Sequence, residues 1–400
     1  VRSRAPFDKD KYKLICPKSS CEPYFCCMKK VGILGGGQLG RMLLQEAANY
    51  PVDTWVMEND PECPAAHLCH HFIKGDIRNY DDVYRFGKQV DALTIEIESV
   101  NVEALERLEA EGVNVFPRPA ALRIIKNKVF QKEFYQHNGI PTAPFVTVNS
   151  RHELSDHVSF LPAAQKLGEG GYDGKGVQIL HGPDELALGF DAPSVLEKKI
   201  AIHKEIAIII AINRKGETVI YPPVEMVFDP YLNLLDYQIS PADLLDKVLW
   251  RMEAIALKLA KALNSPGIFA VELFLDKDGE VLVNETAPRV HNSGHHTIEA
   301  HYSSQYDMLW RIMLDYPLGS TAAILSSSLV NLIGEPGHSG PAKYEGLEEI
   351  LGMEDVYVHL YGKKETRPGR KMGHVTIIGK DRHDLVRRAH HVKRVLKVIA

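Results

Sequence analysis

Val281-Leu282-Val283-Asn284-Glu285-Thr286-Ala287-Pro288-Arg289-Val290-His291-Asn292-Ser293-Gly294-His295-His296-Thr297 starts as a strand and ends as a loop crowded with polar groups. Just before it, Gly267 to Leu275 reads GIFAVELFL, a second apolar strand, and Asp276-Lys277-Asp278-Gly279 is the turn between them. If Leu275 faces Glu280, Glu272 faces Val283, and Glu285 lies on the same face because side chains alternate along a strand. Glu272 and Glu285 are then diagonal neighbours, roughly 7–8 Å apart. Two carboxylates that close in apolar strands repel unless a proton or cation lies between them. Hard oxygen ligands with few other donors suit Mg²⁺ held together with phosphates, with Mn²⁺ as a substitute. The pair alone reads equally well as a solvated sheet edge. Asn284 points to the other face of a regular strand and joins the site only if the strand breaks there. Arg289, His291, Asn292, Ser293, His295 and His296 then gather anion-binding and acid–base groups around Gly294.

Working outward, 400 residues suggest about two or three domains. A net charge of −5 gives no electrostatic case for a nucleic-acid partner. Apolar runs such as Ile206 to Ile212 are too short to span a bilayer. Four of the six cysteines lie in the first 27 residues, and Cys63 and Cys69 are too sparse for a disulfide framework, which fits a cytoplasmic protein. Residues 1–27 lack core-forming periodicity and read as a dispensable extension, disordered or loosely attached, ahead of Met28.

Lys30 to Leu34 is an apolar strand, followed by Gly35-Gly36-Gly37-Gln38-Leu39-Gly40 and a helical pattern from Gln38 to Ala48. With Glu58 ending the next strand, this is a fair dinucleotide fingerprint and supports an NAD-dependent dehydrogenase as one reading. The same turn also serves other anions, or none. Alternating strands and helices continue to Glu111, so residues 28–119 form a Rossmann-like parallel α/β domain. Its ligand edge carries Gly35–Gly40 and Glu96–Glu98.

Phe116-Pro117-Arg118-Pro119 marks the boundary to a middle segment, residues 120–316. A helical stretch from Ala120 to His137 carries Lys126, Lys128 and Lys132, and basic residues on a helix are usually a solvated face. Leu167 to Gly176 holds five glycines in ten residues, with Lys166 before it. Backbone N–H groups there can approach a phosphate, although a glycine-rich run is also a plain hairpin connection. Pro241 to Asn264 is a long amphipathic core helix. After Pro317 short strands and turns dominate; Arg367-Pro368-Gly369-Arg370-Lys371 is a basic turn, and Asp384 to Ile399 reads as a closing helix.

The run NETAPRVHNSGHHT resembles the signature of the N5-carboxyaminoimidazole ribonucleotide synthetases, ATP-grasp ligases of purine biosynthesis, and the likeness extends from about Lys29 to about Gly379. The resemblance implies an α/β ATP-grasp fold with a Rossmann-like N-terminal sheet and a small, mostly β C-terminal domain at residues 317–400. It implies carboxylation of 5-aminoimidazole ribonucleotide by ATP and bicarbonate, through carboxyphosphate. A homodimer, and a mutase acting next on the product, come with the same likeness. Another ATP-grasp carboxylate–amine ligase is the nearest alternative; HNSGH and RPGRK argue against it.

By the same resemblance, Lys128 and Lys166 bind ATP phosphates and Gly171, Tyr172, Asp173, Gly174, Lys175, Gly176 and Val177 form a lid. Glu197, Lys198, Lys199, Ile200 and Glu205 hold adenine and ribose. Glu272 and Glu285, with Asn284 beside them, hold Mg²⁺. Gly37, Gln38, Leu39, Tyr172, His291, Asn292, Ser293, Arg370 and Lys371 bind the ribonucleotide. Asp173, Lys175, Arg289 and Lys371 carry the chemistry, Arg289 by holding the bicarbonate-derived anion. Gln165 and Phe228 depart from the family's usual residues next to the nucleotide.

Overall fold

A computed structural model of the chain describes residues 28–171, 176–228 and 235–400. The reading of residues 1–27 as an extension, and of Tyr172, Asp173, Gly174 and Lys175 as lid residues, lies outside these.

The N-terminal segment is a five-stranded parallel sheet. In spatial order its strands are His71–Lys74, Val52–Glu58, Lys29–Leu34, Ala92–Ile95 and Asn114–Phe116. Val31, Ile33 and Leu34 are fully buried, as a central strand covered on both faces requires. The glycine turn follows Lys29–Leu34 directly and opens the helix Gln38–Ala47.

The long helical stretch expected from Ala120 to His137 is two helices, Pro119–Lys126 and Lys128–His137. Asn127 breaks it: its backbone is extended and its side chain accepts from the Val129 and Phe130 N–H groups. An Asn so placed satisfies orphan donors of a new helix better than it continues an old one. Four strands then form a small antiparallel sheet in the order Phe145–Val148, Ser194–Lys198, Ala163–Leu167, Val177–Leu180.

A nine-stranded antiparallel sheet dominates the rest. It runs from Val281–Ala287 through Gly267–Asp276, Ile202–Ile212, Val224–Phe228, Leu235–Ser240, Ser326–Ile333 and Lys371–Gly379 to Val356–Leu360, with Thr218–Ile220 attached to Ile202–Ile212. The sheet continues past residue 316 without a break, because Leu235–Ser240 pairs with Ser326–Ile333. The amphipathic helix Asp246–Leu263 buries Met252, Ile255, Ala256, Leu259 and Leu263. The closing helix is shorter than its pattern suggested, Arg382–Val395, and Lys397–Ile399 turns back as a strand against Lys343–Glu345.

One core joins the N-terminal sheet to the large one. Met42 and Leu43 of the first helix pack with Ile209, Ile268 and Trp310, and the Trp310 indole donates to the Leu43 carbonyl at 2.7 Å. The glycine turn and the loop at 288–297 are thereby fixed relative to one another.

Candidate active site

The hairpin of Gly267–Asp276 and Val281–Ala287 differs in register from the spacing of its residues. Leu275 pairs with Val281, so the connection is Lys277-Asp278-Gly279, closed by a bond from the Asp276 N–H to the Glu280 carbonyl at 3.0 Å. Gly279, at φ +83°, supplies the left-handed residue that such a loop needs. A bulge follows at Asn284, which has no partner between the pairs Leu273–Val283 and Glu272–Glu285. Glu272 and Glu285 are therefore directly opposite rather than diagonal. The break also brings Asn284 into the site, where its Oδ1 accepts from Lys166 Nζ at 2.7 Å.

The helix Lys128–His137 is tied onto this strand. Gln131 Nε2 donates to the Thr286 carbonyl at 3.2 Å, and the Tyr135 and Thr286 hydroxyls are 2.6 Å apart. The tether sets Lys128 against Glu285, its ion-pair partner. One turn later Lys132, 1% exposed, donates to Thr142 Oγ1 at 2.6 Å and lies 3.2 Å from Glu197 Oε1. Lys166 approaches the other oxygen of Glu197 at 3.0 Å. Lys132 was expected on a solvated face; it is a buried member of the site. The signal was its spacing, since Lys128 and Lys132 stand four apart and share a helix face.

These contacts shift protonation. Burial, then the facing Glu285, pushes the Glu272 carboxyl up to about 8. Lys128 instead draws Glu285 down to about 2. Burial opposes the charge on Lys128, yet Glu285 and Glu272 hold it above the ordinary lysine value. Lys132 is pushed down to about 8 by burial, only partly offset by Glu197. Glu205 rises to about 7 through burial. Two directly opposed carboxylates, one resisting ionisation, with an amide oxygen beside them, fit a hard divalent cation shared with phosphates. Among the described residues no group of three or more His, Cys, Asp or Glu offers an all-protein cage.

The loop after the strand splits into two parts. Arg289 grips Glu98, Nε to Oε1 at 2.9 Å and Nη2 to Oε2 at 3.1 Å. His291 Nδ1 meets Ser293 Oγ at 2.9 Å, and its Nε2 is 3.8 Å from Glu272. Asn292 is half-buried beside them. His295 and His296 turn away into the interior, at 1% and 2% exposure, and burial keeps both imidazoles neutral by lowering their pKa values. From the C-terminal turn, the charge of Lys371 is felt by Glu272. Arg370 is held by Nη1 donating to the Glu365 carbonyl at 2.8 Å, in a turn where Gly369 takes φ +74°.

The glycine-rich run is also a hairpin connection: Lys166 pairs with Val177, and the Leu167 N–H bonds the Gly176 carbonyl at 2.9 Å. Gly176 has φ +100°, Gly171 is exposed and Val177 is 42% exposed. Gln165 points away from the lysines, with its amide bonded to the Phe190 carbonyl, the Phe190 N–H and Ser194 Oγ. Phe228 packs with Val224, Met226 and Leu235. Lys198 and Lys199 project outward and Ile200 is half-buried, while the Lys198 and Lys199 N–H groups bond the Pro144 and Pro162 carbonyls.

The first glycine turn does not present free amides to a pyrophosphate. The Gly37 and Gly40 N–H groups donate to the two oxygens of Glu96 at 2.6 and 2.5 Å, and the Gly36 N–H donates to Glu58 at 3.1 Å. Glu58, which a dinucleotide site would aim at a ribose, is thus spent on the turn. Gln38 is half-exposed at the helix start, whereas the Leu39 side chain belongs to the core.

Comparison with known proteins agrees with this geometry. Residues 133–306 match the ATP-grasp domain, residues 28–126 the ribonucleotide synthetase preATP-grasp domain, and residues 327–388 the phosphoribosylaminoimidazole carboxylase C-terminal domain. The chain is 35% identical to the chloroplastic phosphoribosylaminoimidazole carboxylase of Vigna aconitifolia over 87% of its own length, and spans 64% of that relative. The crystal structure of N5-carboxyaminoimidazole ribonucleotide synthetase from Thermotoga maritima superposes with a TM-score of 0.87 at 39% identity, covering 93% of this chain and all of that one. The Aspergillus clavatus synthase, in complex with ADP and 5-aminoimidazole ribonucleotide, gives 0.83 at 31% identity, covering 92% and 99%. With three family models matched along its length and a synthetase of 39% identity covered end to end, the chain belongs to the N5-carboxyaminoimidazole ribonucleotide synthetase family of ATP-grasp ligases.

Proposed function

We propose that the chain carboxylates 5-aminoimidazole ribonucleotide on its exocyclic amine, using ATP and bicarbonate. The observation that carries this reading is the convergence of Lys128, Lys166, Glu272, Glu285 and Asn284 between the small and large sheets, with His291 and Lys371 at its far side.

Each residue then has a role in the reaction. Lys128 and Lys166 neutralise ATP phosphates. Glu205 and the segment Glu197 to Ile200 hold ribose and adenine. Glu272 and Glu285, with Asn284, would hold Mg²⁺, which neutralises charge on the transferring phosphoryl group. Bicarbonate oxygen attacks the γ-phosphorus and ADP leaves, giving carboxyphosphate. Arg289 holds that anion; a planar guanidinium matches it as it matches Glu98. The ribonucleotide amine attacks the carboxyl carbon, phosphate leaves, and the amine's proton passes to a base. Carboxyphosphate is short-lived in water, so the loop Gly171–Val177, with Tyr172, Asp173, Gly174 and Lys175, serves as the cover. Gly37, Gln38, Leu39, His291, Asn292, Ser293, Arg370 and Lys371 hold the ribonucleotide.

The division into residues 28–119, 120–316 and 317–400, a homodimer, and a downstream mutase belong to the same reading. So does a reducing, cytoplasmic location, supported by unpaired Cys63 and Cys69. No helix among the described residues is long and apolar enough to cross a membrane.

A coupled assay of ADP release, run with and without bicarbonate and 5-aminoimidazole ribonucleotide, tests the proposal. Full turnover requires both. Turnover that ignores the ribonucleotide, or that another amine supports better, overturns it.

A further inference from the structure

Three imidazoles form a stack that the proposed chemistry does not use. His359 and His374 are cross-strand partners in the large sheet, with ring centroids 4.4 Å apart and planes 13° off parallel. His295, from the loop after Arg289, also stacks on His374, at 4.7 Å and 30°. His374 is fully buried and His295 is 1% exposed.

Both ends of the stack are anchored. His359 Nε2 meets Glu299 Oε1 at 2.6 Å, and Glu299 belongs to the short helix Thr297–Ala300 that continues the His295 loop. His374 Nδ1 meets the Tyr361 hydroxyl at 3.0 Å. His295 Nδ1 meets the Tyr306 hydroxyl at 2.8 Å. Beside it, Gln305 accepts from the His291 N–H and donates to the His291 carbonyl, each at 2.8 Å. Flat rings in contact at these separations gain dispersion and exclude water without needing charge. The lowered pKa values of His295 and His374 agree with neutral rings.

The two segments joined by the stack are the two that carry ribonucleotide-binding candidates. His374 lies three residues beyond Lys371 on one strand, and His295 lies four residues beyond His291 on one loop. We propose that His295, His374 and His359 are positioning residues: their stack sets the distance between the Arg370–Lys371 turn and the His291–Ser293 loop, and so fits the site to a ribonucleotide phosphate and amine. This rests on the substrate reading above. Buried rings in contact hold their spacing more tightly than two exposed basic side chains could, because packed interiors resist displacement. A misplacement of about 1 Å costs an oriented site up to about a hundredfold.

His359 is the variant of choice, since at 23% side-chain exposure it tolerates truncation better than buried His374. His359→Ala is expected to raise the ribonucleotide KM roughly tenfold while the ATP KM stays within about twofold. His359→Phe, which keeps a flat ring on His374, recovers most of that loss. Combined with Arg370→Ala, the effect is smaller than the product of the single effects, because both act on one contact. Equal shifts in both KM values, no shift, no recovery by Phe, or fully multiplicative effects overturn the proposal. A readout without substrate separates it from the substrate reading: amide hydrogen exchange in residues 291–300 and 371–379 should quicken in His359→Ala. Unchanged protection there sinks the stack as a positioning device, whatever the enzyme carboxylates. Wild-type turnover indifferent to the ribonucleotide would sink the substrate reading alone.

Discussion

Two pairs of glutamates face the site, and they meet opposite conditions. Glu96 and Glu98 follow the parallel strand Ala92–Ile95, and each has donors of its own: the Gly37 and Gly40 N–H groups for one, the Arg289 guanidinium for the other. Glu272 and Glu285 oppose each other across an antiparallel pair, with Lys128 in direct contact with Glu285 alone. The first pair is complete within the protein and stitches the N-terminal sheet to the glycine turn and to the 288–297 loop. In the second, burial and then the facing Glu285 drive Glu272 up to about 8, while Lys128 keeps Glu285 ionised. Proximity of carboxylates therefore does not mark a cation site; an unmet need for donors does.

That contrast is broken most directly at Glu285. Glu285→Gln preserves shape but removes the charge that answers Lys128 and the cation. ADP formation should fall by roughly a thousandfold, as expected when several kcal/mol of charge stabilisation is lost, with the fold intact by circular dichroism. Near wild-type turnover at ordinary Mg²⁺ would place the pair with Glu96 and Glu98 as structural groups.

Glu197 is the inverse case, one carboxylate between two lysines. Lys132 is ion-paired with one oxygen, so Lys166 need not be fully committed to Glu197. Lys132→Met forces Glu197 and Lys166 together, and the ATP KM should rise about tenfold, about 1.4 kcal/mol. Stability should change little, because burial already disfavours this lysine's charge and Glu197 keeps one partner. A large drop in melting temperature with an unchanged ATP KM would make Lys132 a structural ion pair.

These cases also show how much was legible in the sequence. The Glu272–Glu285 pair was, because a hairpin places sequence neighbours opposite one another. It was misplaced because loop length and the Asn284 bulge follow from backbone bonds that a residue count does not contain. The parallel sheet, the glycine turn and the amphipathic helix were legible through their periodicity. Lys132 was not: its burial depends on Thr142 and on Glu197, which arrives 65 residues later on another sheet. The Glu98–Arg289 contact spans 191 residues and leaves no local pattern. The sheet that runs past residue 316 was hidden for the same reason, since strand pairing at long range is not encoded in spacing. His295 and His296 differ in kind from what their sequence suggests: polar residues in a loop point to donors, and packing makes them core.

The complete pair sharpens the comparison from the other side. If Glu98 only orients Arg289, Glu98→Gln keeps one hydrogen-bonding oxygen and loses the charge. Bicarbonate-dependent turnover should drop about fivefold, the loss of roughly 1 kcal/mol for a charge-assisted contact reduced to a neutral one. The Mg²⁺ requirement should not move. A changed Mg²⁺ requirement would mean that the two glutamate pairs share a cation and are not separate cases.

The last expected effect, of similar size, concerns Glu205, a carboxylate with no hydrogen-bond donor among the described residues, raised to about 7 by burial, with Lys166 only partly opposing the shift. At pH 6 it is largely protonated and at pH 8 largely ionised. If Glu205 accepts from the ribose, as proposed, it does so more strongly when ionised, so the ATP KM should fall by about fivefold as pH rises across that range. Stability should move the other way. A carboxyl whose folded pKa exceeds its unfolded value holds its proton longer in the native state. Its contribution is fully present below the unfolded pKa and is lost as pH rises through about 7. Tighter ATP binding and a lower melting temperature on the same pH limb are thus one signature of one group. Glu205→Gln should flatten both. If the ATP KM keeps its pH dependence in that variant, another group sets it. If only the melting curve flattens, Glu205 is a buried carboxyl that does not touch the nucleotide.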